Sequence, residues 1–128
     1  MSVFTYEALS SDPVNPEIRF LDILPGKGHI KCRVWHASLS ANLGYEALSY
    51  CWGKSTNKVH IQLNEKEFLV TKNLHSALLR LRKQKEQRTL WIDAICINQA
   101  DDEEKNRQVP LMRRIYQSCE RVLIWIGE

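Results

Sequence analysis

The chain has 128 residues, 44% hydrophobic and 26% charged, which fits one ordinary globular domain and excludes a disordered or low-complexity segment. No apolar run approaches the ~20 residues needed to cross a bilayer, and the N-terminus lacks a basic region followed by an apolar stretch. A cytoplasmic location with no membrane partner is therefore expected. Its 18 basic and 15 acidic residues leave a net charge of +3, too little to mark a nucleic-acid binder.

Residues 1–16 carry turn formers, Ser10-Ser11-Asp12-Pro13 and Asn15-Pro16, and read as a loosely ordered lead-in. A strand over 18–24 then stops at Pro25-Gly26-Lys27-Gly28, and Ile30, Cys32 and Val34 alternate with Lys31, Arg33 and Trp35, so a first β-hairpin is expected. Tyr45 to Trp52 reads as a strand running into Gly53. Val59-His60-Ile61-Gln62-Leu63, a turn at Asn64-Glu65-Lys66 and Phe68-Leu69-Val70 predict a second hairpin. Thr71 or Asn73 can cap a helix whose apolar stripe is Leu74, Ala77, Leu78 and Leu81, running to about Gln84.

Leu90 to Ile97 is a nearly continuous apolar run, as expected of a strand covered on both faces, with Val122 to Ile126 as its parallel neighbour. Between them Val109, Met112, Tyr116 and Cys119 recur at helical spacing. The acidic run Asp101-Asp102-Glu103-Glu104 suits a helix N-terminus. Pro110 either sits in the first turn of a helix starting near Gln108 or kinks one starting near Asp102. The expected fold is α/β: a small parallel sheet with flanking helices, plus N-terminal antiparallel hairpins.

Charge and thiols are unevenly placed. Six basic residues (Lys72, Arg80, Arg82, Lys83, Lys85, Arg88) stand against one acid, Glu86, and read as a solvated helix face. The four cysteines lie at 32, 51, 96 and 119 with no C-x-x-C pair, so no metal site is expected, and Cys32, Cys96 and Cys119 read as small buried apolar groups. Gly26-Lys27-Gly28 lacks the spacing of a phosphate loop, and a Cys51 nucleophile has no base that sequence can place beside it.

In open α/β sheets ligands bind beyond the carboxyl ends of strands. Two segments deliver polar groups there: Ser49-Tyr50-Cys51-Trp52-Gly53, and Asp93 to Gln99 with Asn98, leading into Glu104. A carboxylate such as Asp93 inside an apolar run must be paired or hydrogen-bonded, and a loop-capping role is as consistent with it as a chemical one.

Tyr45-Glu46-Ala47-Leu48-Ser49-Tyr50-Cys51-Trp52-Gly53, then Leu90-Trp91-Ile92-Asp93-Ala94-Ile95-Cys96-Ile97-Asn98-Gln99, then Asp101, Glu104, Gln108-Val109, Met112, Ile115-Tyr116 and Val122 to Gly127 together resemble the fungal heterokaryon incompatibility (HET) domain. The resemblance implies a domain over 17–128, cut close to its last strand, that acts in nonself recognition and triggers programmed cell death. Its partners would be proteins or a second copy, met through an exposed sheet edge. The HET domain is in turn distantly similar to TIR domains, several of which cleave NAD. That likeness implies a TIR-like fold and, as an alternative, an enzyme with no metal or resident cofactor and with NAD as substrate. Glu104 or Asp93 would be its carboxylate, and Trp52 or Tyr50 its aromatic platform. Ser49, Gly53, Asn98 and Gln99 would complete the ligand site.

Overall fold

A computed structural model of the chain describes residues 2–41, 43–50 and 57–126. The most buried strand is β1 (Glu17–Ile23), in which every residue after Glu17 is shielded from solvent. It pairs antiparallel with β2 (Lys31–Ser38), Ile23 opposite Cys32 and Glu17 opposite Ser38. Gly26 and Gly28 take positive φ (128° and 79°) in the connecting turn, a conformation that side chains disfavour. Cys32 and Val34 point inward and Lys31 and Arg33 outward, as the alternation requires.

After β3 (Glu46–Tyr50), the second hairpin joins β4 (Lys58–Leu63) to β5 (Lys66–Thr71). Its two-residue turn has Asn64 and Glu65 both at positive φ, 52° and 67°, the mirror-image turn that matches strand twist. Helix α1 (Lys72–Leu81) starts where the Thr71 hydroxyl accepts the Leu74 N–H at 3.1 Å, and it buries Leu74, Ala77 and Leu78. Burial of each leucine is worth roughly 1.5–3 kcal/mol. The helix stops three residues short of Gln84. Arg82 turns extended, and its guanidinium donates to the carbonyls of Gly28 and His29. Part of the basic face is thus spent on holding the first turn.

The apolar run from Leu90 is not one strand. β6 (Arg88–Trp91) ends after four residues, and Asp93–Cys96 forms a single helical turn, α2, with Ile95 and Cys96 inward. A buried one-turn helix and a two-face-buried strand share the same composition, so the run alone cannot distinguish them. Next come α3 (Asp102–Gln108), a 3₁₀ turn at Val109–Leu111 and α4 (Met112–Ser118). Pro110 sits in that 3₁₀ turn, where its missing N–H breaks the helical ladder of a helix that begins at Asp102.

β7 (Arg121–Trp125) also departs from expectation: its parallel neighbour is β3, not β6. β3 lies between them, parallel to both. Among the described residues, seven strands form one mixed sheet in the order β5-β4-β2-β1-β6-β3-β7. The hairpins are therefore integral to the sheet and not appended to a parallel core. β2 joins β4 by a short parallel seam, Lys31 opposite Gln62 and Cys32 opposite Leu63. The lead-in has little regular structure but is attached: Val3 bridges to Glu67, and Leu9 is buried. No helix among the described residues is long and apolar enough to cross a membrane.

Candidate functional site

Tyr50 closes β3, Ala94 follows the end of β6, and Thr71 marks the passage from β5 to α1. Together with Tyr6, Lys58, Phe68, Asn98 and Gln99 they line a cleft of about 310 Å³. It lies beyond the carboxyl ends of β3 and β6, where ligands gather in sheets of this class. Its walls are aromatic, aliphatic and amide groups, and Lys58 is the one cation among the described lining residues. The Tyr50 phenol is pushed well above its usual range, first by burial and then by the Asp93 charge, while a hydrogen bond with Thr71 opposes the shift.

The loop carrying Asn98 and Gln99 is fixed by its own bonds. Gln99 Nε2 donates to the Asp93 carbonyl at 2.8 Å, and Asn98 Oδ1 accepts the Ala100 N–H at 3.2 Å. The Asn98 N–H donates to Glu104 Oε2 at 2.5 Å. Asp101 caps α3, its Oδ1 accepting the Glu104 N–H at 3.2 Å, so the acidic run does start a helix.

Glu104 is not among the residues that line the cleft. Arg19 Nη1 and Nη2 donate to its two carboxylate oxygens at 2.7 Å each, and the two side chains are only 1% and 3% exposed. The same guanidinium donates to the carbonyls of Cys96 (3.0 Å) and Glu7 (2.7 Å) and lies 4.7 Å from the centre of the Tyr6 ring. Tyr6 donates its hydroxyl to the Ile95 carbonyl at 2.7 Å. Sealed from solvent and committed to three donors, Glu104 is a structural countercharge. The charge of Asp93, which raises the Tyr50 phenol, also raises that of Tyr116 after burial has done so.

Of the residues singled out from sequence, Tyr50, Asn98 and Gln99 therefore meet at one cleft with Asp93 beside it. Ser49 is exposed and lies on the face opposite Tyr50. Trp52 and Gly53 lie outside the described residues. Among those described, no cluster of His, Cys, Asp and Glu could hold a metal ion. Sequence reasoning overlooked Tyr6, Lys58, Phe68 and Thr71 in the cleft and Arg19 behind it. Arg19 did leave a signal: it stands between Ile18 and Phe20 in a strand rich in apolar residues, where a charge, once buried, must find a partner.

A family model described as heterokaryon incompatibility protein (HET) matches residues 45–128, and the chain belongs to that family. It is also similar to heterokaryon incompatibility protein 6, OR allele, of Neurospora crassa. The two are 37% identical over 142 aligned residues, covering 98% of this chain and 21% of the relative. The chain thus spans about a fifth of that relative's length. No solved structure matches it.

Proposed function

We propose that this domain is an effector of fungal heterokaryon incompatibility, which triggers cell death in nonself recognition by associating with protein through its β7 edge. Family membership supplies the process. The observation that carries the mode of action is the state of β7. Among the described residues it has β3 as its one neighbour, and its Val122 and Ile124 are 45% and 74% exposed, with Ile126 just beyond it at 90%. Exposed apolar edges of this kind are sites of strand pairing.

The test is expression of the full-length protein in a filamentous fungus, scoring death of fused cells. The double change Val122→Lys, Ile124→Lys should abolish death, whereas Val14→Lys, which removes an exposed apolar group of the lead-in, should leave it intact. Death that persists in the edge variant at equal protein level would overturn the proposal.

A further inference from the structure

Association through β7 makes no use of the cleft beside Tyr50, yet the cleft is built as ligand sites are. Its volume, about 310 Å³, suits a small ligand or the end of a chain. Much of its lining is apolar, with Phe68, Val70, Leu74 and Ala94 standing beside Tyr6 and Tyr50. Its polar groups are few, and they differ in kind.

Lys58 supplies charge. It is exposed and makes no ion pair among the described residues, whereas Arg19, Arg88 and Arg121 are each matched by a carboxylate. No carboxylate stands among the described lining residues, and burial keeps the Tyr50 phenol protonated, so the lining carries a single positive charge.

Asn98 and Gln99 supply an amide-reading pair. Each spends one end of its side chain on its own loop: Asn98 Oδ1 accepts the Ala100 N–H, and Gln99 Nε2 donates to the Asp93 carbonyl. One donor, Asn98 Nδ2, and one acceptor, Gln99 Oε1, are left over on neighbouring residues, without partners among the described residues. The bonds already made hold both amides in place, so a ligand need not pay to order them. A peptide bond offers the complement, one C=O and one N–H.

An apolar group, an amide and a single negative charge occur together at the carboxyl end of a polypeptide. We propose that the cleft binds the free carboxyl terminus of a partner protein whose last residue is apolar. The last side chain lies against Phe68 and Leu74, and the carboxylate pairs with Lys58. The last peptide bond accepts from Asn98 Nδ2 and donates to Gln99 Oε1. Capture of a chain terminus by a few fixed polar groups is a recurring mode of recognition. A dinucleotide fits less well, since its diphosphate carries two negative charges and the described lining offers one cation. The site is separate from β7, so either reading can fail while the other stands.

The test titrates small probes into the whole chain and follows backbone amide shifts by NMR. N-acetylphenylalanine has all the required groups and should bind with a Kd of about 1 mM, as expected for a ligand of its size, shifting Phe68, Asn98 and Ala100. N-acetylphenylalaninamide lacks the charge and N-acetylglycine lacks the side chain, and each should bind about fivefold more weakly or worse. Lys58→Met, a change at an exposed residue, should bring N-acetylphenylalanine down to the level of its amide and leave the affinity of the amide unchanged, with an unaltered melting temperature showing that the variant is folded. Acetyl-dialanyl-phenylalanine should bind at least as well as the single residue; its exclusion would assign the cleft to a free small acid and overturn the proposal. Absence of shifts at about ten times the expected Kd, equal binding of acid and amide, or indifference to Lys58→Met would overturn it as well. So would tighter binding of nicotinamide, a neutral planar amide.

Discussion

Arg19 and Glu104 come from distant parts of the sequence and meet as a two-pronged ion pair, with both N–O distances at 2.7 Å and both side chains out of solvent. The pair ties the central strand to the first turn of α3. Through the Asn98 N–H and the Cys96 carbonyl it also holds the loop that forms one wall of the cleft. The acid that motif reading places in a catalytic role is thus one that the fold needs for its own construction.

Removing one member of such a pair strands a buried charge, which typically costs about 3–5 kcal/mol. Glu104→Ala and Arg19→Met should each destabilise by that order in urea unfolding. The double change Arg19→Met, Glu104→Leu should recover most of the loss, because two apolar groups leave no charge unpaired. A double variant as unstable as the sum of the singles would show no coupling between the two side chains and overturn this account.

The hairpin turn makes a second prediction. Asn64 Oδ1 accepts the Val34 N–H at 2.8 Å and its Nδ2 donates to the Val34 carbonyl at 3.2 Å, so one side chain extends the short seam between β2 and β4. Asn64→Ala should cost about 1–3 kcal/mol by leaving both groups of Val34 unmet. Glu65 sits at φ 67°, a left-handed conformation that costs a non-glycine residue about 1–2 kcal/mol. Glu65→Gly should therefore raise the melting temperature, and the pair of variants measured by thermal unfolding checks both directions.

Acid should destabilise the fold in two windows. The Glu46 carboxylate takes hydrogen bonds from Arg88 Nε (2.7 Å) and Nη2 (3.2 Å) and has Arg121 Nε at 3.2 Å. The Arg88 bond foremost, aided by the charges of Arg88, Arg121 and Lys83 and opposed by burial, holds its carboxyl below the usual glutamate range. A folded pKa below the unfolded one gives stability that is complete above the unfolded value and is lost as pH falls through the folded one. His75 is likewise held below its ordinary 6.5, by burial first and then by His29 and Arg82, so its contribution begins to fade at mildly acidic pH. Melting curves against pH should show both losses. His75→Gln should remove the earlier part of the slope and Glu46→Gln the later part.

Thiol labelling should divide the cysteines. Burial pushes the Cys32 and Cys96 thiols up to about 12, and both side chains are enclosed, so at pH 8 neither supplies thiolate to an alkylating reagent. Cys119 is only half-buried. Pulse alkylation followed by mass spectrometry should modify Cys119 in the folded chain and reach Cys32 and Cys96 only on unfolding. Labelling of Cys96 at the rate of Cys119 would contradict the packing described.

Local pattern carried the elements whose signal is local. The period-two run Val59-Ile61-Leu63 became β4, and the Thr71 cap with Leu74, Ala77 and Leu78 became α1. Partner choice was not legible, because nothing in Val122 to Ile126 says that β3 slots between it and β6. The one-turn helix at Asp93 was hidden by continuous hydrophobicity, although an acid at its first position, followed by Ile95 and Cys96 on one side, fits a helix start. Half of the cleft, Tyr6 and Phe68 above all, is built by strands and lead-in far from the motifs, and only the tertiary fold brings these rings together, with centroids 6.1 Å apart.

The position of β1 bears on how this domain can be moved. β1 is hydrogen-bonded on one side to β2 and on the other to β6, yet it lies wholly before the segment 45–128 that the family model matches. Excising that segment would strip β6 of its antiparallel neighbour and leave Glu104 without its cation. The stretch that the family model matches is therefore shorter than the stretch that builds the sheet, and a graft or chimera bounded at residue 45 should be far less stable than one that keeps β1.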